Sequence, residues 1–265
     1  MNGALSLSVA DRVGVLRLTR EARRNALDAA MVDELAAFCR EIERRDDLDV
    51  LLLTGSGRAF CAGGDIDAWS GESAQDFGRH WIRDGHSAFD ALARLRQPVI
   101  AVLNGPALGG GLELAACADY RIAEAHVKIG LPETGLGIIP GWSGTQRCTR
   151  RFGAQTVRRM ALFGEVFTAE EAQALGLVDA VTATGGGLAA GQALAARVLA
   201  RGPLATELAK MLINAAEGEE NARVLESLAG RIAAGPQSFR PGWPGFAANI
   251  RRASAAEFCH REEGR

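Results

Sequence analysis

Apolar and polar positions alternate along "ALSLSV" and again along "VGVLRL", two stretches that flank Ala10-Asp11-Arg12. A period of two with polar turn residues between predicts a β-hairpin. Asp28 then precedes "AAMVDELAAFCREIERR", whose apolar residues recur at helical spacing, and an aspartate at that place caps the helix by accepting its first free N–H groups. "DVLLLTG" and "PVIAVLNG" show no alternation. Continuous apolar runs of strand length suit strands covered on both faces, the situation of a parallel sheet between helices. A loop, "SGRAFCAGGDIDAW", and a helix from about Ala74 to Leu95 lie between them.

Strands alternating with helices imply crossover connections and an α/β core, placed at residues 1–200. After Leu199 the pattern is helical only, through "PLATELAKMLINAAE" and "NARVLESLAGRIAA". Residues 201–265 are therefore expected to form a C-terminal helical region, starting near Arg201-Gly202-Pro203. Pro236, Pro241 and Pro244 keep the final stretch from being one continuous helix.

At 265 residues, 48% of them apolar, the chain can bury a large core. The formal net charge is −2, lysine occurs only at Lys128 and Lys210, and no arginine run exceeds a pair. That distribution lacks the basic stripe of a nucleic-acid-binding surface. The five cysteines are scattered without a C-x-x-C, which argues against a disulfide framework and a zinc site. His80, His86, His126 and His260 have no metal-ligand spacing, so no metal is expected. No apolar segment approaches the roughly 20 residues that span a bilayer. The expectation is a soluble cytoplasmic protein that engages neither membrane nor nucleic acid.

Three segments carry candidate chemistry. In "NGPALGGGLELAACADYRIA" the glycines Gly109, Gly110 and Gly111 sit at a strand-to-helix turn, where a ligand can approach the backbone and the first helical N–H groups have no intrahelical partner. Glu113 follows inside an apolar run, where a carboxylate costs several kcal/mol unless it is satisfied or used. "SGRAFCAGGDIDAW" places Gly63-Gly64 after another buried strand, so both turns emerge at the carboxyl edge of a sheet, where α/β folds bind ligands. "KIGLPETGLGIIPGWSGTQR" holds Glu133 among glycines, prolines and apolar residues. Taken singly, each has a plainer reading as a packing turn, a flexible loop or a solvated acid.

In order and spacing, "RRNALDAAMVDEL", "GRAFCAGGDI", "QPVIAVLNGPALGGGLELAACADYRIA", "GLPETGLGIIPGWSGTQR" and "AEEAQALGLVDAV" resemble the crotonase, or enoyl-CoA hydratase/isomerase, superfamily over roughly residues 5–235. The resemblance implies a spiral core of ββα units with a C-terminal helical extension. It implies an acyl-CoA thioester as substrate, coenzyme A being part of that substrate, and no separate cofactor. It makes Gly64 and Gly110 the backbone donors to the thioester carbonyl, Glu113 and Glu133 the catalytic acids, and Gly141 a backbone contact near the reacting water. Arg24 and Ala62 match positions that touch the nucleotide of coenzyme A. With both acids present, hydration of a 2-enoyl-CoA ranks above double-bond isomerisation or dehydration of a specialised acyl-CoA. The family's assembly would be a homotrimer or a dimer of trimers. An RNA-binding role, known among relatives with a lysine-rich helix, has no support in Asp28 to Arg45, which contains no lysine.

Two departures stand out. Asp67 occupies a place where many hydratases carry a basic coenzyme A contact, so another arginine must substitute. The tail "SFRPGWPGFAANIRRASAAEFCHREEGR" departs from the family's usual helical ending. Other motifs lead nowhere: "LPETG" is internal, "GWSGT" misses the G-x-S-x-G elbow by one residue, and no nucleotide-phosphate or dinucleotide glycine motif occurs.

Overall fold

The computed structural model describes residues 3–69, 71 and 73–219. The expected helix "NARVLESLAGRIAA" and the proline-containing tail lie outside the described residues. The chain divides into two compact units, residues 1–213 and 214–265.

The hairpin forms as the alternation predicts, with β1 (Leu5–Ala10) antiparallel to β2 (Val13–Leu18). Asp11 and Arg12 take left-handed conformations at its tip, φ 49° and 64°. Two positive φ angles in a two-residue loop match the right-handed twist of the flanking strands. In helix α1 (Ala29–Glu43), Asp28 accepts a hydrogen bond from Met31 N at 2.9 Å, and Met31, Val32, Leu35, Cys39 and Ile42 face inward.

The larger sheet joins, in order, β1, β2, β3 (Val50–Gly55), β4 (Val99–Leu103), β6 (Tyr120–Glu124) and β9 (Ala180–Thr182), and every pairing beyond the hairpin is parallel. Its centre is β3 and β4, buried along their whole length. Leu51 and Leu53 join the core cluster shared with α1, while Val50 and Leu52 point into a second cluster that includes Ala195 of α9 (Gly187–Leu199). Those two faces explain the unbroken apolar runs.

Between β3 and β4 come the short helices α2 (Ile66–Trp69) and α3 (Ala74–Asp76), a π-helical stretch Phe77–Ile82, and α4 (Arg83–Ala93). The expected helix is therefore present, but its middle is wound wider than an α-helix. A smaller sheet joins β5 (Ala107–Leu108), β7 (Lys128–Gly130) and β8 (Val166–Thr168). Helix α5 (Gly110–Ala115) begins directly after β5. Among the described residues the other α-helices are α6 (Arg147–Phe152), α7 (Ala154–Phe163), α8 (Ala169–Ala174) and α10 (Pro203–Ala216), and α8 opens with a capping box between Thr168 and Glu171.

Candidate active site

The loop after β3 is held between two neighbouring segments. Cys61 N donates to Pro106 O and Cys61 O accepts from Leu108 N, a single parallel bridge to β5. On the other side, Leu27 N donates to Gly63 O and Asp65 N to Leu27 O, a parallel bridge centred on Leu27 and Gly64. In that pattern the residues flanking Gly64 take up both polar groups of Leu27, so the N–H of Gly64 itself points away from the bridge.

The N–H of Gly110 meets it from the other strand end. Gly110 is the first residue of α5, so its N–H has no intrahelical acceptor. A Cβ placed on Gly110 would lie 3.4 Å from Gly64 N, which puts the two backbones side by side. Each glycine of the triple meets a separate demand. Gly109 has φ 54°, and a Cβ there would meet Glu133 Oε1 at 2.8 Å; on Gly111 a Cβ would strike Cys61 O at 2.1 Å. The Gly109 backbone is one that residues with a side chain rarely adopt.

Glu113 is 3% exposed and Glu133 7%. Glu113 Oε1 accepts from two main-chain donors, Trp142 N at 2.7 Å and Gly144 N at 2.6 Å. Neither carboxyl oxygen of Glu133 has a hydrogen-bond partner among the described residues. Burial pushes Glu113 up to about 8, with Glu133 adding to the shift and the two N–H bonds opposing it. Burial raises Glu133 to about 7. Gly144 carries no side chain where a Cβ would crowd Glu113 Oε1 at 2.6 Å. Ser143 between the two donors has φ 79°, and its hydroxyl lies 3.2 Å from His86 Nε2.

A cavity of about 100 Å³ is lined by Gly64, Gly110, Glu113, Glu133 and Gly141 together, with Ala62 at its edge. A second depression of about 320 Å³ is lined by Arg23, Arg24, Ala62, Gly64, Asp65 and Asp67. Ala62 N donates to Arg24 O at 3.1 Å. Thus Glu113, Glu133, Gly64, Gly110 and Gly141 share one cavity, Arg24 lies in the adjoining depression, and Ala62 and Gly64 border both.

Arg23, which no sequence motif singles out, also lines this depression. Its guanidinium bridges Asp65, at 2.7 Å, and Asp67, and stays 45% exposed; Arg20 also reaches Asp65, at 2.6 Å. Hydrogen bonds from Arg23 and then Arg20 hold the Asp65 carboxyl down at about 2. The adjacent pair Arg23-Arg24 was the available signal, but nothing local says which of the two turns toward Asp67.

The raised carboxyls make stability depend on pH. In each, the folded pKa exceeds the unfolded value, so the contribution is fully present below about 4.5 and is lost as pH rises through about 7 and 8. At about 1.4 kcal/mol per pKa unit, the loss for Glu113 is on the order of several kcal/mol. Glu113→Gln keeps an oxygen for Trp142 N and Gly144 N without the charge. Its melting temperature, measured from about pH 5 to about pH 9, should fall less than that of the wild type, so the variant becomes the more stable protein at the alkaline end. Parallel curves would show that Glu113 ionises without penalty.

An α/β core thus brings the Gly64 and Gly110 backbones and two buried carboxyl groups to one cavity, in a fold of the crotonase type. Comparison with known proteins agrees: the enoyl-CoA hydratase/isomerase family model matches residues 9–232, and the chain belongs to that family. It is an enzyme of the hydratase/isomerase type. The chain is 40% identical over 205 residues to the putative enoyl-CoA hydratase/isomerase YngF of Bacillus subtilis, covering 77% of this chain and 78% of that one. It is 37% identical over 205 residues to the crotonyl-CoA hydratase of Syntrophomonas wolfei, with the same coverage. Among solved structures, an enoyl-CoA hydratase from Bacillus anthracis superposes with a TM-score of 0.77 at 36% identity, over 80% of this chain and 82% of that chain. No described helix is long and apolar enough to cross a membrane.

Proposed function

We propose that this chain is an enoyl-CoA hydratase that adds water across the C2=C3 bond of a 2-enoyl-CoA to give a 3-hydroxyacyl-CoA. The observation that carries the proposal is the pair of buried carboxyl groups, Glu113 and Glu133, on the same cavity as the N–H groups of Gly64 and Gly110. As water adds to a bond conjugated with a thioester, negative charge moves onto the carbonyl oxygen. Two fixed N–H donors, one of them at a helix start, stabilise that charge in the oxyanion geometry.

The carboxyl groups divide the proton work. Burial raises both carboxyls, Glu113 to about 8 and Glu133 to about 7, so burial alone does not make Glu113 the base; the two N–H bonds on its Oε1 favour its anion, and on that ground we assign it the proton of the attacking water, whose oxygen bonds to C3. Glu133, whose carboxyl oxygens have no hydrogen-bond partner among the described residues to favour its anion, is assigned the proton delivered to C2. Afterwards Glu113 holds the proton and Glu133 the charge. Exchange with solvent restores the pair, and no cofactor takes part.

Arg23 and Arg24 border the adjoining depression and are the residues we assign to the coenzyme A phosphates. Arg23 takes over from the basic residue that Asp67 replaces. The same reading includes a homotrimer or dimer of trimers, for which exposed Leu162 and Phe163 supply apolar surface. The test is incubation with crotonyl-CoA. A product heavier by one water, with loss of the conjugated-thioester absorbance, is expected, whereas a product of unchanged mass with a migrated double bond would make the enzyme an isomerase.

A further inference from the structure

We infer that Trp142, backed by Trp81, limits the length of the acyl chain that this site accepts, so that the substrate is a short-chain enoyl-CoA. The inference rests on the proposed acyl-CoA reading and adds its chain-length selectivity.

The cavity has an outer and an inner side. Ile66, Leu136 and Ile139 line it with 46%, 57% and 67% of their surface exposed, so they stand at the mouth. Trp142 and Trp81 line it at 3% and 8% exposure, so they stand at the inner side. The Trp142 ring also sits against the donor glycine, because a Cβ on Gly110 would meet its Cζ3 at 3.0 Å. An acyl group whose carbonyl oxygen reaches the Gly110 N–H therefore lies beside this ring from its first carbons onward.

The wall is fixed in place. Trp142 Nε1 donates to Trp81 O at 3.0 Å, and the two rings are tilted with centroids 4.9 Å apart. Phe89 packs edge-on from behind at 5.1 Å. On α4, Gly85 leaves the socket: a Cβ there would lie 2.1 Å from Trp142 Nε1. Trp81 belongs to the π-helical stretch, and wide windings of that kind inside helices occur frequently at functional sites. With a hydrogen bond, two aromatic neighbours and a fitted glycine, the ring cannot swing aside without breaking several contacts. The ring thus forms a fixed inner wall of the cavity beside the Gly110 backbone, against which a growing acyl chain would press.

The experiment compares kcat/KM for crotonyl-CoA and trans-2-decenoyl-CoA in the wild type, Trp142→Ala and Trp81→Leu. Trp142→Ala removes the ring but keeps the main-chain N–H that holds Glu113. Methylenes refused by a pocket are worth about tenfold or more each. The wild type should therefore prefer crotonyl-CoA by about a hundredfold or more. Trp142→Ala should reduce that preference at least about tenfold through a gain on the long substrate, and Trp81→Leu should shift it in the same direction. Comparable wild-type values for the two substrates would overturn the inference while leaving the hydratase reading intact. An unchanged preference in both folded variants would also overturn it. Hydration of neither substrate by the wild type would instead remove the functional reading on which the inference rests.

Discussion

Replacing either glutamate by glutamine should lower kcat for crotonyl-CoA hydration by about a hundred- to ten-thousandfold, the range typical of a positioned acid or base. Each amide keeps the size and most contacts of the acid but cannot exchange the proton. The double variant should lose little more than the worse single one, because addition needs both transfers within one event and a pair acting as a unit gives non-additive losses. Unfolding would not explain such a loss: burial raises both carboxyls to about 8 and about 7, so the glutamine variants should match or exceed the wild-type melting temperature at and above neutral pH. A double variant that lost the product of the two single factors would show the acids working in separate steps.

Gly110→Pro should cost about a hundred- to a thousandfold in kcat, the usual effect of removing one oxyanion donor. The fold is prepared for the change. Gly110 is the first residue of α5, where a missing N–H breaks no helical bond and the proline φ suits the chain. The added ring does press on Trp142, since even a Cβ approaches it at 3.0 Å. Far-ultraviolet circular dichroism and melting temperature should report a folded protein. A folded variant with wild-type turnover would mean that the thioester oxygen binds elsewhere.

Local signals carried most of the core. The hairpin, the Asp28 cap and the two doubly buried strands depend on residues within a few positions of one another, and each is where the pattern puts it. The wide turn at Phe77–Ile82 was not legible, because apolar spacing marks which positions face inward and not how each turn closes. Ser143 is another such case: its left-handed backbone would be expected of glycine, and contact with His86, far away in sequence, accompanies it. Glu133 could equally have been a solvated acid. It lies against Gly109 and shares a cavity with Trp142 and other apolar residues from distant segments, so only the fold decides between the two readings. The Arg23 bridge to Asp65 and Asp67 likewise joins segments about forty residues apart.

The division of labour between the two acids is tested most directly by incubating Glu113→Gln with crotonyl-CoA in heavy water and analysing both product and remaining substrate by mass spectrometry. If Glu113 handles the water and Glu133 the carbon-bound proton, hydration is abolished while deuterium still enters the unreacted acyl chain at C2 or C4, since Glu133 remains able to exchange with carbon. Hydration at the wild-type rate on every enoyl-CoA that the wild type hydrates would contradict the account and leave Glu113 as a buried acid satisfied by Trp142 N and Gly144 N.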